Sequence, residues 1–101
     1  MEDTLFRAVF GDSPTIKVLE WFLTCRGLDY TITDVASSQH IGRAITYEVF
    51  DRLTKKGIIK KTRQIGAAKL YALNMESTIV IDLIKVFDNI ISVHPLDGSK
   101  D

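Results

Sequence analysis

The spacing of the apolar residues changes at one glycine, Gly57, and this change constrains the fold more than any other feature. Before it, from Gly42 to Lys56, the apolar residues Val49, Phe50 and Leu53 recur at helical spacing. After it, Ile58-Ile59-Lys60-Lys61-Thr62-Arg63-Gln64 and Ala68-Lys69-Leu70-Tyr71-Ala72-Leu73 read as two strands, joined by a short turn at Ile65-Gly66-Ala67. Gly57 relieves the end of the helix, and Lys55 and Lys56 stand favourably beside its negative terminus. A helix therefore feeds straight into a hairpin. In the second strand Ala68, Leu70 and Ala72 alternate with Lys69, Tyr71 and Leu73, so the pattern leaves the buried face open.

Upstream, Leu5, Phe6, Val9 and Phe10 suggest one or two helical turns lying on the core. Gly11-Asp12-Ser13-Pro14 reads as a helix start, because Ser13 can cap free amides and Pro14 at the first helical position loses no hydrogen bond. Ile16, Leu19, Phe22 and Leu23, with Val18, Trp21 and Cys25, make that helix apolar on more than one face, which calls for two packing partners. It stops near Arg26-Gly27. Tyr30-Thr31-Ile32 reads as a short extended piece, and Thr33 as the cap of a short helix with Asp34 in its first turn. Val35 and Ala36 point inward, Ser37 to His40 form a turn, Ile41 is an apolar anchor, and Gly42 opens the next helix.

The chain of 101 residues fits one domain over 1–101, with a core at 13–74, a C-terminal helix at 75–92 and a loose tail at 93–101. The expected stop of that helix is His94-Pro95. No run of apolar residues is long enough to span a membrane, and the acidic start Met1-Glu2-Asp3-Thr4 is unlike a signal peptide. Cys25 is the only cysteine, so neither an internal disulfide nor a multi-cysteine metal site can form. His40 and His94 show no metal spacing. No phosphate loop, nucleophile elbow or paired-carboxylate signature occurs. The expectation is a cytoplasmic protein that is not an enzyme and needs no cofactor, and no pattern identifies an effector.

The formal net charge of zero conceals a local imbalance. Residues 52–75 hold Arg52, Lys55, Lys56, Lys60, Lys61, Arg63 and Lys69 and no acidic residue, whereas the flanking segments are acidic. A basic block in a neutral protein is the footprint expected of a surface that meets phosphate, although a solvated lysine-rich hairpin would look the same.

Residues 33–57 fit a helix-turn-helix and the following hairpin fits a wing, with Val35, Ala36, Ile41, Val49, Phe50 and Leu53 spaced to hold the two helices together. Thr33-Asp34-Val35-Ala36, Ile41-Gly42-Arg43, the run Phe50 to Ile59 and the hairpin Lys60 to Tyr71 resemble the winged helix-turn-helix transcriptional regulators. The nearest flavour is the small archaeal-type regulators, similar in module to the multiple-antibiotic-resistance and arsenical-resistance repressor classes. The resemblance implies a mainly α fold with a two-stranded wing, and double-stranded DNA as the partner. It implies Arg43, Ala44 and Tyr47 for the major groove and Arg63, Gln64 and Lys69 for the wing's grip on the backbone or minor groove. Gly42 at the helix start, Arg52 further along it, and Lys60 and Lys61, basic residues of the hairpin, complete the expected DNA-binding set. Arginine can bridge two acceptors of guanine or hold a phosphate, and the alanine methyl can touch that of thymine.

Three residue patterns depart from the family. His40 stands where glycine is frequent, Ile45-Thr46 reverses the usual polar-then-apolar order, and the wing tip Ile65-Gly66-Ala67-Ala68 is apolar. The last of these keeps open an alternative, a winged-helix module that binds protein without specific DNA recognition. In the last helix Ile79, Leu83, Val86 and Ile90 form one apolar line and Val80, Ile84, Phe87 and Ile91 a second. Two lines suggest that one packs on the body and the other on a second copy, so a homodimer is expected, with Val80, Leu83, Ile84, Phe87, Ile90 and Ile91 as the residues for its seam.

Overall fold

The computed structural model describes residues 4–93. In chain order it holds α1 (Leu5–Phe10), α2 (Pro14–Thr24), α3 (Ile32–Gln39), α4 (Arg43–Lys55), β1 (Ile59–Ile65), β2 (Ala68–Leu73) and α5 (Thr78–Val93). The expected stop at His94-Pro95 and the tail beyond it lie outside the described residues. None of the described helices is long and apolar enough to cross a membrane.

Helix α2 begins as its sequence directs, with the Ser13 hydroxyl accepting from the Ile16 amide at 3.3 Å and Pro14 in the first turn. Helix α3 starts earlier than the expected cap at Thr33. Thr31 is the cap instead, and Asp34 decides the matter. The Thr31 hydroxyl accepts from the Asp34 amide and the Asp34 carboxylate accepts from the Thr31 amide, both at 3.0 Å. This reciprocal box needs an acidic residue three places after the cap, a spacing that Thr33 cannot offer. Of the expected extended piece Ile32 joins the helix, Thr31 stays extended as its cap, and Tyr30 alone pairs with a strand. It exchanges two 2.8 Å backbone bonds with Tyr71 and so lies along β2.

The turn between α3 and α4 passes through His40 at φ 58°, the only described residue other than glycine with positive φ. The Ile41 amide then reaches back to the Ala36 carbonyl at 2.9 Å. The end of α4 closes similarly. Gly57, at φ 76°, donates to the Thr54 carbonyl at 3.0 Å, and Ile58 donates to the Leu53 carbonyl at 2.9 Å. That is the Schellman pattern, with buried Leu53 and Ile58 as its hydrophobic pair.

The rotation of α4, which the sequence left open, is set by its inward stripe. Thr46, Val49, Phe50 and Leu53 are buried and Ile45 faces solvent. Turning Ile45 inward would carry Glu48 and Arg52 with it, because they lie three and seven residues on. Thr46 can be buried because its hydroxyl donates to the Gly42 carbonyl at 2.9 Å.

Around this frame Phe22, Phe50, Leu23, Val18, Val35 and Ile59 form the core. Helix α1 is docked by a buried carboxylate. Glu20 accepts from the Arg7 guanidinium at 2.5 Å and from the Thr4 hydroxyl at 2.6 Å. Helix α5 lays Val80 and Phe87 inward, and Phe87 meets Phe6 edge-on at 5.4 Å between ring centres. Arg26 holds Asp88 with two bonds of 2.6 and 3.2 Å, which fixes the rotation of α5. Val80 and Phe87, expected at a dimer seam, thus belong to the protomer's own core. Ile79, Ile81, Val86 and Val93 are the exposed large apolar residues of α5, with Leu83, Ile84, Ile90 and Ile91 half-buried.

Candidate nucleic-acid interface

The strands β1 and β2 pair antiparallel from Ile59↔Leu73 to Ile65↔Ala68, with a bulge between Lys61 and Arg63. In a regular strand Thr62 and Arg63 would point to opposite faces. The extra residue at the bulge lets both reach one group, Asp29, in the segment between α2 and α3. The Thr62 hydroxyl donates to Asp29 at 2.6 Å, and the Arg63 guanidinium adds bonds of 2.9 and 3.1 Å. Arg63, and secondarily Thr62, hold the Asp29 carboxyl below its ordinary pKa, while the carboxylate raises that of Arg63. Together with the Tyr30–Tyr71 bridge, this anchors the hairpin to the body.

Anchored there, the hairpin borders an open cleft of about 530 Å³ opposite α4. Arg43, Tyr47, Asp51 and Thr54 line it from α4, and Ala67, Ala68 and Lys69 from the wing. Asp34 and Phe50 also line it. Arg43 and Tyr47 stand in the first turn and a half of α4, where the unpaired amides of the helix add positive potential. Gly42, Arg43, Ala44 and Tyr47 are all exposed.

The other expected basic residues divide into two sets. Arg52 donates to the Thr15 hydroxyl at 2.6 Å and Lys55 pairs with Asp51 at 3.0 Å, so both are engaged within the body. Arg63 is engaged by Asp29. Lys60, Lys61 and Lys69 are exposed along the hairpin, and Lys61 makes only a 3.5 Å contact with Gln64. Gln64 also donates to the Gly66 carbonyl at 3.1 Å, stiffening the turn. The structure therefore brings Arg43, Tyr47 and Lys69 to the helix–wing cleft, leaves Ala44 exposed outside its lining, and ties Arg52 to α2.

No family model matches this chain, and no curated protein matches it. Solved structures do. A MarR family transcriptional regulator from Silicibacter pomeroyi superposes with a TM-score of 0.63 at 18% identity, over 96% of this chain and 66% of that one. Reduced HlyU from Vibrio cholerae gives 0.60 at 14% identity, over 83% and 87%. The ferric uptake regulator from Francisella tularensis gives 0.57 at 23% identity over 64% of this chain, which spans about half of that protein, 53%.

This chain has the winged helix-turn-helix fold.

In the terms of that fold, α3 and α4 are the helix pair, with α4 its second helix, and β1–β2 is the wing. Two features of this winged helix escaped sequence reasoning. Asp29 is far from the wing in sequence, and no local pattern announces that it anchors Arg63. Ile45 is an aliphatic residue on the exposed face of α4, 47% accessible. Its signal was available, since only the Thr46 stripe keeps Glu48 and Arg52 out of the core.

Proposed function

We propose that the chain is a DNA-binding transcriptional regulator of the cytoplasm, acting as a homodimeric repressor and not as an enzyme. The observation that carries this reading is the shared cleft, in which the exposed start of α4 and the basic wing face one opening. A helix of this kind fits the major groove, and a hairpin beside it reaches the adjoining backbone or minor groove. Arg43 is assigned to a guanine edge, Ala44 to a thymine methyl and Tyr47 to a phosphate oxygen. Lys60, Lys61 and Lys69 are assigned to phosphates, with Arg63 and Gln64 shaping the wing that carries them. Similar structures support the role, one described as a transcriptional regulator, one as a ferric uptake regulator and one as a competence repressor.

The homodimer rests on the outward faces of α1 and α5. Val9, Phe10, Ile79, Ile81 and Val86 are all at least two-fifths exposed, and helices with such faces are normally covered by a partner. A second copy would place two α4 helices on successive major grooves, roughly 34 Å apart. Selection from a pool of random duplexes tests the reading. The expected product is a palindromic site with half-sites roughly 10 base pairs apart. Recovery of no preferred sequence would instead favour a protein-binding module, a reading that the exposed apolar wing tip at Ile65 supports.

A further inference from the structure

The exposed face of α4 is chemically unusual for a surface opposite DNA. Its first two turns carry one cation, Arg43, and otherwise Ala44, Ile45, Tyr47 and Glu48. Ile45 and Tyr47 are large and exposed, at 47% and 60%, although a polar residue at position 45 would fit solvent equally well. Its neighbour Thr46 is a polar residue, yet it is fully buried against the Gly42 carbonyl. The helix thus hides its hydroxyl and shows its aliphatic group. Packing inside the protomer does not require Ile45, because it lies off the inward stripe. Glu48 has no side-chain hydrogen-bond partner among the described residues, and it lies one turn beyond Ala44 and Ile45 on the exposed side.

The aliphatic groups match one base pair better than the others. In the major groove an A·T pair presents the thymine methyl and the adenine amino group, whereas a G·C pair presents the guanine acceptors and the cytosine amino group and no methyl. An aliphatic pair, Ala44 and Ile45, can cover a methyl. A carboxylate only accepts, so it can take the exocyclic amine of adenine or of cytosine and is repelled by the acceptors of a guanine that it faces. We infer that Ala44 and Ile45 read thymine methyl groups in the major groove and that Glu48 disfavours a guanine on the edge it faces, so that the half-site contains thymine at the positions these methyl contacts reach, beside the base that Arg43 reads. Ile45 is then a specificity-determining residue. The inference rests on the DNA-binding reading above.

Deoxyuridine provides the test, because it removes the thymine methyl and leaves every hydrogen-bonding group in place. Each thymine of the selected duplex is replaced in turn and binding of the full chain is titrated. Replacement at one or two positions per half-site should weaken binding about three- to fivefold, the effect of burying one methyl group. With Ile45→Ala, or with Ala44→Gly at the adjacent position, the same replacement should have no further effect, since the group that touched the methyl is gone. Glu48→Gln should tighten binding to random duplex while lowering the preference for the selected site. Specific binding that is indifferent to every deoxyuridine replacement overturns this inference and leaves the regulator reading standing. A deoxyuridine effect that persists undiminished in both variants overturns the assignment to Ala44 and Ile45. Absence of any sequence-specific binding overturns both the inference and the reading beneath it.

Discussion

At the scale of single residues, the backbone conformation of His40 makes a direct prediction. A left-handed conformation crowds Cβ against the following carbonyl, at a cost of roughly 1–2 kcal/mol, and histidine bears it better than β-branched residues. His40→Val should lower stability by about 1–2 kcal/mol in denaturant titration, whereas His40→Gly should leave it equal or higher. Equal losses from both substitutions would mean that the histidine ring, not the backbone, matters there. Asp29 yields a prediction about pH. Its carboxyl is depressed in the folded chain, chiefly by Arg63 and next by Thr62. A depressed carboxyl contributes stability that is fully present above its unfolded value, about 3.9, and that fades as pH falls through the folded value. The wing anchor should therefore hold unchanged from pH 8 to 5, and the NMR signal of the Arg63 Nε–H group should move only below about pH 4. Movement between pH 7 and 5 would show that the Asp29–Arg63 pair is not formed in solution.

At the scale of elements, most boundaries were legible because each is fixed by local chemistry. Ser13-Pro14 starts α2, Gly57 stops α4, and Gly66 lies at the turn of the wing. The start of α3 was missed because two threonines compete as caps, and a reciprocal bond across three residues chooses between them. The face of α5 was not legible, since both of its lines consist of large apolar residues at the same spacing. Contacts distant in sequence, Phe6–Phe87 and Arg26–Asp88, select the Val80 line for the core. Phe87→Ala should accordingly cost about 3–5 kcal/mol of stability, as expected for a buried phenylalanine. Val86→Glu, on the exposed line, should leave the fold intact and give a monomer by sedimentation, with weaker operator binding. A Val86→Glu protein that remains dimeric would remove α5 from the interface. Within the wing, Lys69→Ala should reduce the salt slope of DNA binding by about one unit. Arg63→Ala should reduce it by less, because Asp29 already neutralises that guanidinium. Equal reductions would show that Arg63 leaves Asp29 for a phosphate in the complex.

At the scale of the whole molecule, the balance of zero net charge hides a division of labour. The basic residues of 52–75 lie on the end of α4 and on the wing, and α1 and α5 carry exposed apolar residues, with Ile45 and Tyr47 on α4 and Ile65 at the wing tip apart from them. The sequence announced the division through its charge blocks, and the fold through the helix-to-hairpin switch at Gly57. It could not announce which basic residues stay free, because the pairing partners, Asp29 and Thr15, come from distant segments. The central claim is that this surface binds DNA, and titration of the full chain against its selected duplex at several salt concentrations tests it most directly. Affinity should fall linearly with the logarithm of salt, with a slope of several units set by the released counterions, and the selected duplex should outcompete random sequence by about a thousandfold or more. Absence of binding at low salt, or binding without a salt slope, would contradict the claim.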